Sequence, residues 1–195
     1  MKKWITSNYH YMVPEVDDGL GELFCDFSSY LANIKRGLTV LGNKAVPVVL
    51  GPVSIVHMCA FKFEGSIDLQ RFALLEKLLP IYSKLLADIS ALGVKEVQIH
   101  EPSLVFAESS LNSLFQMTYD GPNCILPTDL RINMVSFFED IGQTNYKWLI
   151  SVSGIDIISL DFTRGDNLSL IKTFGFPKEK TLGTVNYYPI VFLVC

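Results

Sequence analysis

Charged side chains follow two apolar stretches of the sequence, at the point where each stretch ends. The stretch VQIH ends on His100 and is followed by Glu101, and the stretch IDIISL leads into Asp161 and Arg164. A carboxylate at the edge of an apolar core is costly unless it is paired, hydrated or used in chemistry. Glu101, Asp161 and Arg164 could form an acid–base or anion-binding site if they converge. The alternative is that these side chains cap helices or close loops.

The alternation of apolar runs and helical segments predicts how these residues are positioned. Single strands separated by helices are typical of parallel sheets, whose carboxyl ends meet at one edge and carry the chemistry of α/β proteins. The sequence therefore predicts an α/β fold with parallel strands and alternating helices. Strands are predicted at residues 46–50, 94–99, 131–138 and 155–160, and helices at 69–92, 144–152, 168–174 and, more weakly, 103–118.

The clearest helical signal is the stretch from residue 69 to residue 92. Apolar side chains recur there at spacings of three and four residues, with charges between them. Pro80 interrupts the pattern and predicts either a kink or the start of a second helix. Gly93 supplies the stop at the carboxyl end.

Composition limits the classes of protein to which the chain can belong. It has 195 residues, of which 49% are hydrophobic, and this favours one core with strands buried on both faces. A net charge of −4 without a basic block excludes nucleic acid as the expected partner. Residues 45–61 lack charged side chains, but Pro47 and Pro52 would break a membrane-spanning helix. Without an apolar signal peptide, we expect a cytoplasmic protein that does not bind membranes.

The cysteines are widely spaced along the chain. They are Cys25, Cys59, Cys124 and Cys195, and no two of them form a CxxC pair. Structural zinc sites usually contain at least one short ligand pair. We therefore expect reduced thiols, and neither a metal nor another cofactor bound by this chain alone.

Four segments of the sequence, taken together, are similar to a known family in their order and spacing. They are KKWITSNYHYMVPEV at residues 2–16, VPVVLGPVS at 46–54, LLPIYSKLLADISALGVKEVQIHEPSLV at 78–105 and GIDIISLDFTRG at 154–165. They resemble the N-terminal barrel of cobalamin-independent methionine synthase, the 5-methyltetrahydropteroyltriglutamate–homocysteine S-methyltransferase.

The resemblance implies an incomplete (βα)8 TIM-like barrel over residues 1–183, followed by a divergent apolar tail at 184–195. In the family, a preceding segment supplies the first strands, and a second barrel carries the catalytic zinc and its ligands. The motifs of that second barrel are absent from this sequence. The chain is therefore expected to be a fragment of a methyltransferase of methionine biosynthesis, with no catalytic residue of its own and no activity without a separate catalytic barrel.

The resemblance also implies a binding role for the first segment. The N-terminal barrel of the family helps to hold the polyglutamate tail of the methyl-folate donor, and the matching positions are Lys3 and Asn8. An ammonium and an amide donor suit the several carboxylates of a triglutamate tail. Methyl-folate triglutamate is thus the expected partner, and a non-catalytic anion-binding module is the alternative function. Without the resemblance, Lys3 would be a solvated charge and Asn8 a turn residue.

The sequence departs from the family at one strand end: the family pattern QIDEP has an aspartate at the position where this chain has His100. A hydrogen-bond-accepting anion is replaced by a group that ordinarily titrates near neutral pH. Successive strand side chains point to opposite faces, so His100 and Glu101 are not expected to meet. His10, between two tyrosines, is interpreted as a strand histidine held by a hydrogen bond.

An incomplete barrel is expected to leave two exposed edge strands and a bare apolar face. Both features favour aggregation, so we expect the chain alone to be poorly soluble or to need a partner. Residues 190–194 of the tail could pair as an additional edge strand, but a short apolar run does not decide this.

Overall fold

The structure is a computed structural model that describes residues 1–17, 21–62 and 64–185. The strands in this part are β1 Lys2–Lys3, β2 His10–Tyr11, β3 Glu15–Val16, β4 Val48–Leu50, β5 Ala60–Phe61, β6 Glu96–His100, β7 Arg131–Val135, β8 Ile157–Asp161 and β9 Thr181–Val185. The α-helices are α1 Ser28–Leu41, α2 Pro52–Met58, α3 Ile67–Ala91, α4 Ser109–Tyr119, α5 Gly142–Ser151 and α6 Asn167–Phe174.

Five of these strands form one parallel sheet in the order β4, β6, β7, β8, β9. Each strand of this sheet follows its neighbour along the chain, with at least one helix between them. The predicted α/β fold with parallel strands and alternating helices is confirmed. Because β4 and β9 are the outer strands, the sheet does not close into a barrel within the described residues.

One face of the sheet is covered by helices and forms the main core. Ile99, Ile132 and Ile158 have no exposed surface and belong to the same apolar cluster as Leu75 of α3 and Tyr146 of α5. Removing apolar surface from water stabilises the fold by roughly 25 cal/mol per Å². This burial explains why the β-branched runs of the sequence become the inner strands.

Helix α3 continues through Pro80 as a single helix of 25 residues. The sequence left open a kink or a second helix, and the structure shows no second helix there. Pro80 is exposed, whereas Leu79 and Tyr82 beside it are buried. Packing on both sides of the proline therefore offsets the hydrogen bond that proline removes. Gly93 follows the helix with φ 85°, in agreement with the predicted stop.

The opposite face of the sheet carries polar side chains that bond across neighbouring strands. Ser159 Oγ donates to Asn133 Oδ1 at 2.8 Å, and Asn133 Nδ2 donates to Glu96 Oε1 at 3.3 Å. The expected bare apolar face is therefore not what the structure shows, because a polar network crosses three strands of it.

The free side of strand β4 is also covered. Tyr30 OH donates to Val48 O at 2.7 Å, and Tyr82 OH donates to Leu50 O at 2.6 Å. These two carbonyls point away from β6, where another strand would otherwise pair. The prediction of two exposed edge strands is therefore wrong for the carbonyl groups of β4.

Strands β1 and β2 form an antiparallel hairpin that lies on the carboxyl ends of the sheet strands. Thr6 Oγ1 donates to Phe138 O at 2.8 Å, just beyond β7, and Tyr11 OH donates to Met58 O at 2.9 Å, at the end of α2. Trp4 and Ile5 pack against the buried phenylalanines after β7. None of the helices in the described ranges is both long and apolar enough to cross a membrane.

Candidate functional site

Glu101 lies directly after β6 and is completely buried against the amino end of helix α2. Its carboxylate accepts hydrogen bonds from Val53 N at 3.1 Å, Ser54 N at 2.8 Å, Ser54 Oγ at 2.5 Å and Tyr119 OH at 2.6 Å. Backbone N–H groups at a helix start have no partner within the helix, and an acidic group satisfies them. Glu101 therefore joins β6, α2 and α4 in one buried cluster.

Gly51 makes this close approach possible. A Cβ atom at residue 51 would lie 2.1 Å from the Glu101 Cδ atom, so any larger residue would displace the carboxylate. Pro52 occupies the first helical position after it, where its missing N–H costs nothing. The sequence GPVS and the glutamate of HEPS thus form one structural unit.

Burial raises the pKa of Glu101 to about 7, against the opposing effect of its hydrogen bonds from Ser54, Tyr119 and Val53. Burial also raises the pKa of Tyr119 far above its ordinary value, and the nearby Glu101 charge adds to this effect. The tyrosine therefore stays protonated and continues to donate its hydrogen bond across the physiological pH range.

The raised pKa of Glu101 predicts a pH-dependent stability. Between its ordinary value of 4.5 and the folded value of about 7, the folded chain holds a proton that the unfolded chain has lost. The contribution of Glu101 to the free energy of unfolding should therefore fall as pH rises through this window, by up to about 1.4 kcal/mol per pH unit. His100, whose pKa burial lowers from 6.5 to about 4, contributes an opposite slope of similar size below pH 6.5. Denaturant titrations at several pH values, on the parent chain and on a variant without the Glu101 carboxyl group, would separate the Glu101 slope from that of His100.

The matched variant for this test is Glu101→Gln, which has nearly the same shape and does not titrate. We expect the unfolding free energy of the parent chain minus that of this variant to fall between pH 4.5 and pH 7, because the other titrating groups are shared by both proteins. An identical slope in both proteins would assign the effect to other groups.

Asp161 ends β8 and is also fully buried, but it binds a different part of the chain. Its carboxylate accepts from Phe138 N at 3.0 Å, Thr163 N at 2.8 Å, Thr163 Oγ1 at 2.6 Å and Arg164 N at 3.1 Å. Burial alone would raise the pKa of Asp161, but the bonds from Thr163, Phe138 and Arg164 outweigh it and lower that pKa. Asp161 is therefore a carboxylate that orders the loops after β7 and β8.

The loop after β7 has a strained backbone at the point that Asp161 holds. Phe138 has φ 81°, which is rare for a residue with a bulky side chain. Its N–H binds Asp161 and its carbonyl accepts the hydroxyl of Thr6. Such strain persists where surrounding contacts fix it, and it is frequent at functional sites.

Glu101, Asp161 and Arg164 do not converge. Glu101 follows Ile99 on the face that the helices cover, whereas Asp161 follows Ser159 on the opposite face. The Arg164 side chain is exposed, with its guanidinium 6.0 Å from the centre of the Phe138 ring. The geometry therefore favours the alternative that Glu101 closes a helix start and Asp161 closes a loop.

His100 is separated from Glu101, as the alternation of strand side chains predicts. Its Nε2 atom lies 3.0 Å from Gln98 Oε1, and its ring meets the Phe137 ring at 5.3 Å. Burial lowers the pKa of His100 to about 4, so the ring is neutral at pH 7. The sequence instead led us to expect a group that titrates near neutral pH. His10 lies in β2 with its side chain exposed.

Lys3 and Asn8 lie on the same short hairpin, and both side chains are exposed. Lys3 pairs with His10 across the two strands, and the turn is closed by Trp4 N donating to Tyr9 O at 2.6 Å. None of the ion pairs in the described residues involves Lys3. The ammonium of Lys3 therefore has no acidic partner in this part of the protein.

The sequence interpretation did not identify the residues that hold this hairpin or the carboxylate cluster. Thr6 and Tyr11 anchor the hairpin at its two sides, and Ser54 and Tyr119 donate to Glu101. Their partners lie far away in sequence, so no short motif could reveal them. The one available signal was the conjunction of Gly51 with Pro52, which is typical of a helix start.

Among the described residues, no three His, Cys, Asp or Glu side chains come together in a way that could hold a metal ion. The buried carboxylates of Glu101 and Asp161 are instead saturated by hydrogen-bond donors. Neither carboxylate is therefore free to bind a metal ion while these hydrogen bonds are made.

Comparison with known proteins supports the resemblance seen in the sequence. Residues 1–186 match a family described as the N-terminal domain of cobalamin-independent synthase. A 5-methyltetrahydropteroyltriglutamate–homocysteine methyltransferase from Trichodesmium erythraeum is 40% identical over 184 residues, which cover 94% of this chain and 23% of the relative. The enzyme of the same name from Thermosynechococcus vestitus is 39% identical with the same coverage. The chain thus spans about a quarter of the length of these relatives.

Solved structures show the same fold at low sequence identity. A chain from Listeria monocytogenes, described as a putative vitamin-B12-independent methionine synthase, matches with a TM-score of 0.59 and 14% identity, over 85% of this chain and 54% of that chain. A B12-independent methionine synthase from Shewanella sp. W3-18-1 matches with a TM-score of 0.54 and 16% identity, over 88% and 52%.

Proposed function

The chain belongs to the cobalamin-independent methionine synthase family, and we propose that it contributes to methyl transfer by binding the polyglutamate tail of the folate donor. The names of its relatives specify a methyl donor with three glutamates and homocysteine as the acceptor. A triglutamate tail is flexible and carries several carboxylates. A site for it needs exposed cations and amide donors on a rigid support.

The observation that carries the proposal is the placement of the N-terminal hairpin. Lys3 and Asn8 are exposed on a hairpin that is anchored at Phe138 and at Met58. The anchors set this hairpin over the carboxyl ends of the parallel strands, which is where α/β barrels bind their ligands. Burial lowers the pKa of His57 in α2, and the positive charges of Arg71 and, to a smaller extent, Lys2 add to this effect, so the field of a second hairpin ammonium reaches α2.

The chemical step is assigned to a catalytic barrel outside this chain. Zinc would supply a homocysteine thiolate as the nucleophile, because coordination favours the deprotonated sulfur. We assign no step of methyl transfer to the described residues. The chain is proposed to be inactive alone, as a fragment of the complete enzyme and a partner of its catalytic barrel, in the cytoplasm.

Titration with a folate triglutamate tests the binding proposal. Lys3→Ala is expected to weaken binding by about tenfold at low salt, because a charge-assisted hydrogen bond contributes roughly 1.5 kcal/mol. Asn8→Ala should weaken it less, since the lost amide donor is neutral. Isothermal titration calorimetry would give both affinities.

Lys44→Ala is the matched control for this titration. Lys44 is exposed and precedes β4, so it lies at the amino end of the sheet, away from the hairpin. We expect the affinity of this variant to equal that of the parent chain. Equal losses of affinity in Lys3→Ala and Lys44→Ala would show that binding is a diffuse charge attraction. No loss of affinity in either variant would refute the assignment of Lys3.

A further inference from the structure

A small cavity lies between helices α4 and α5, away from the hairpin site. It is lined by Asn112 and Gln116 of α4 and by Thr144, Asn145 and Trp148 of α5, and its volume is about 60 Å³. Every one of these lining side chains carries a polar group. Apolar atoms of these side chains nevertheless form most of the cavity wall, so water in the cavity depends on the few polar atoms that face it.

Two buried polar atoms in the lining have no hydrogen-bond partner among the described residues. They are Trp148 Nε1, which can only donate, and Asn112 Oδ1, which accepts. Buried polar atoms are nearly always paired with protein or with ordered water. The two atoms are complementary in character, and they belong to residues of two different helices that line the same cavity.

The surroundings hold the Trp148 ring and the neighbouring amide in fixed orientations. The Trp148 ring packs against the rings of Phe115 and Tyr119, with centroid distances of 5.6 Å and 6.4 Å. The amide nitrogen of Asn145 donates to Leu104 O at 2.6 Å and to Phe106 O at 3.2 Å, so this amide is held by the segment after β6. The packing of the indole ring therefore limits its rotation, so its N–H cannot easily turn to another partner.

We infer that this cavity is a hydration site, in which ordered water accepts a hydrogen bond from Trp148 Nε1 and donates one to Asn112 Oδ1. Water occupies about 30 Å³ in the liquid, so the cavity holds about two molecules and excludes an amino acid or a nucleotide. Water both donates and accepts, which matches one unpaired donor and one unpaired acceptor. The hydrated site links α4, which carries Tyr119 of the Glu101 cluster, to α5. It is independent of the proposed folate binding.

A double-mutant cycle tests this inference through the unfolding equilibrium of the variants Trp148→Phe, Asn112→Leu and the combination of both. With bridging water, each single change removes one end of the bridge and raises the unfolding equilibrium constant. The double variant should then be less destabilised than the sum of the two, by a coupling factor of about tenfold. In a dry cavity no water links the two side chains, so the effects of the two changes would add, whatever the sign of each.

The chain contains one other tryptophan, Trp4, which provides both a control and a second measurement. Trp4 packs in the hairpin cluster, so Trp4→Phe combined with Asn112→Leu should show additive effects. In the Trp4→Phe variant a single indole N–H resonance remains in the NMR spectrum, and it belongs to Trp148. We expect a cross-relaxation signal from this proton to bound water. Absence of that signal, or additivity in the Trp148 cycle, would overturn the inference.

Discussion

Glu101→Leu is expected to lower the free energy of unfolding by about 3–5 kcal/mol, because it leaves several buried hydrogen-bond donors without an acceptor. The leucine side chain fills much of the same space but cannot accept hydrogen bonds. The substitution therefore removes the acceptor for Val53 N, Ser54 N, Ser54 Oγ and Tyr119 OH. All of these donors lie in the protein interior, where an unsatisfied polar group costs about 1–3 kcal/mol. Denaturant unfolding at pH 7 would measure the loss.

Glu76→Leu is the matched control because it makes the same chemical change on the surface. Glu76 is exposed on α3, so the expected change is within about 0.5 kcal/mol. Tyr119→Phe should fall between the two variants, because it removes one of the hydrogen bonds and leaves the carboxylate. If Glu101→Leu were as stable as Glu76→Leu, the Glu101 cluster would contribute little to the fold.

Gly165→Ala is the second change for which we expect a large effect, with a loss of about 3 kcal/mol or more. Gly165 has φ 66°, and a Cβ atom there would lie 2.1 Å from Asp140 N and 2.8 Å from the Glu139 carbonyl carbon. These contacts are with backbone atoms, which cannot rotate away as a flexible side chain can. The loops after β7 and β8 would have to separate, and thermal or denaturant unfolding would record the loss.

Gly142→Ala is the control that separates backbone strain from the steric part of this effect. Gly142 has nearly the same backbone angle, φ 68°, but a Cβ atom there would meet no atom within 4 Å. The expected cost is the conformational strain alone, about 1–2 kcal/mol. Equal losses in the two variants would show that the two loops can separate freely and that their close packing is not required.

Gly165→Ala should also affect the proposed binding site. The loop after β7 contains Phe138, which accepts the hydroxyl of Thr6 in the N-terminal hairpin. A displaced loop would shift the anchor of the hairpin that carries Lys3 and Asn8. We therefore expect weaker triglutamate binding in Gly165→Ala, measured under conditions where the variant is folded, and unchanged binding in Gly142→Ala.

The elements that sequence periodicity predicts best are those whose stability comes from their own apolar pattern. Strand β6 and helix α3 lie within two residues of their predicted bounds, because apolar side chains recur with the period of each structure. Helix α2 was missed, since its Val53, Ile55 and Val56 are β-branched and favour a strand. Its amino end is held by Glu101, which lies in another element, and a local pattern cannot report such a contact.

Local sequence patterns were limited in the same way for the candidate site, because they do not report contacts between distant residues. The residues at strand ends could be placed at one edge of a sheet, but sequence alone does not show that Glu101 and Asp161 face opposite sides of it. Resemblance to a family supplied Lys3 and Asn8, and their role in binding stays a prediction. Long-range tethers such as Thr6 to Phe138 and Tyr11 to Met58 required coordinates.

The tyrosine hydroxyls that bind the carbonyl groups of β4 hinder the pairing of another strand with that edge of the sheet. An approaching segment of any polypeptide would first have to displace Tyr30 from Val48 O and Tyr82 from Leu50 O. Each displacement gives up about 1 kcal/mol and removes an aromatic ring that shields the backbone. Pairing of a strand from another molecule with β4 is thus disfavoured, and growth of a β-type assembly would stop at this edge.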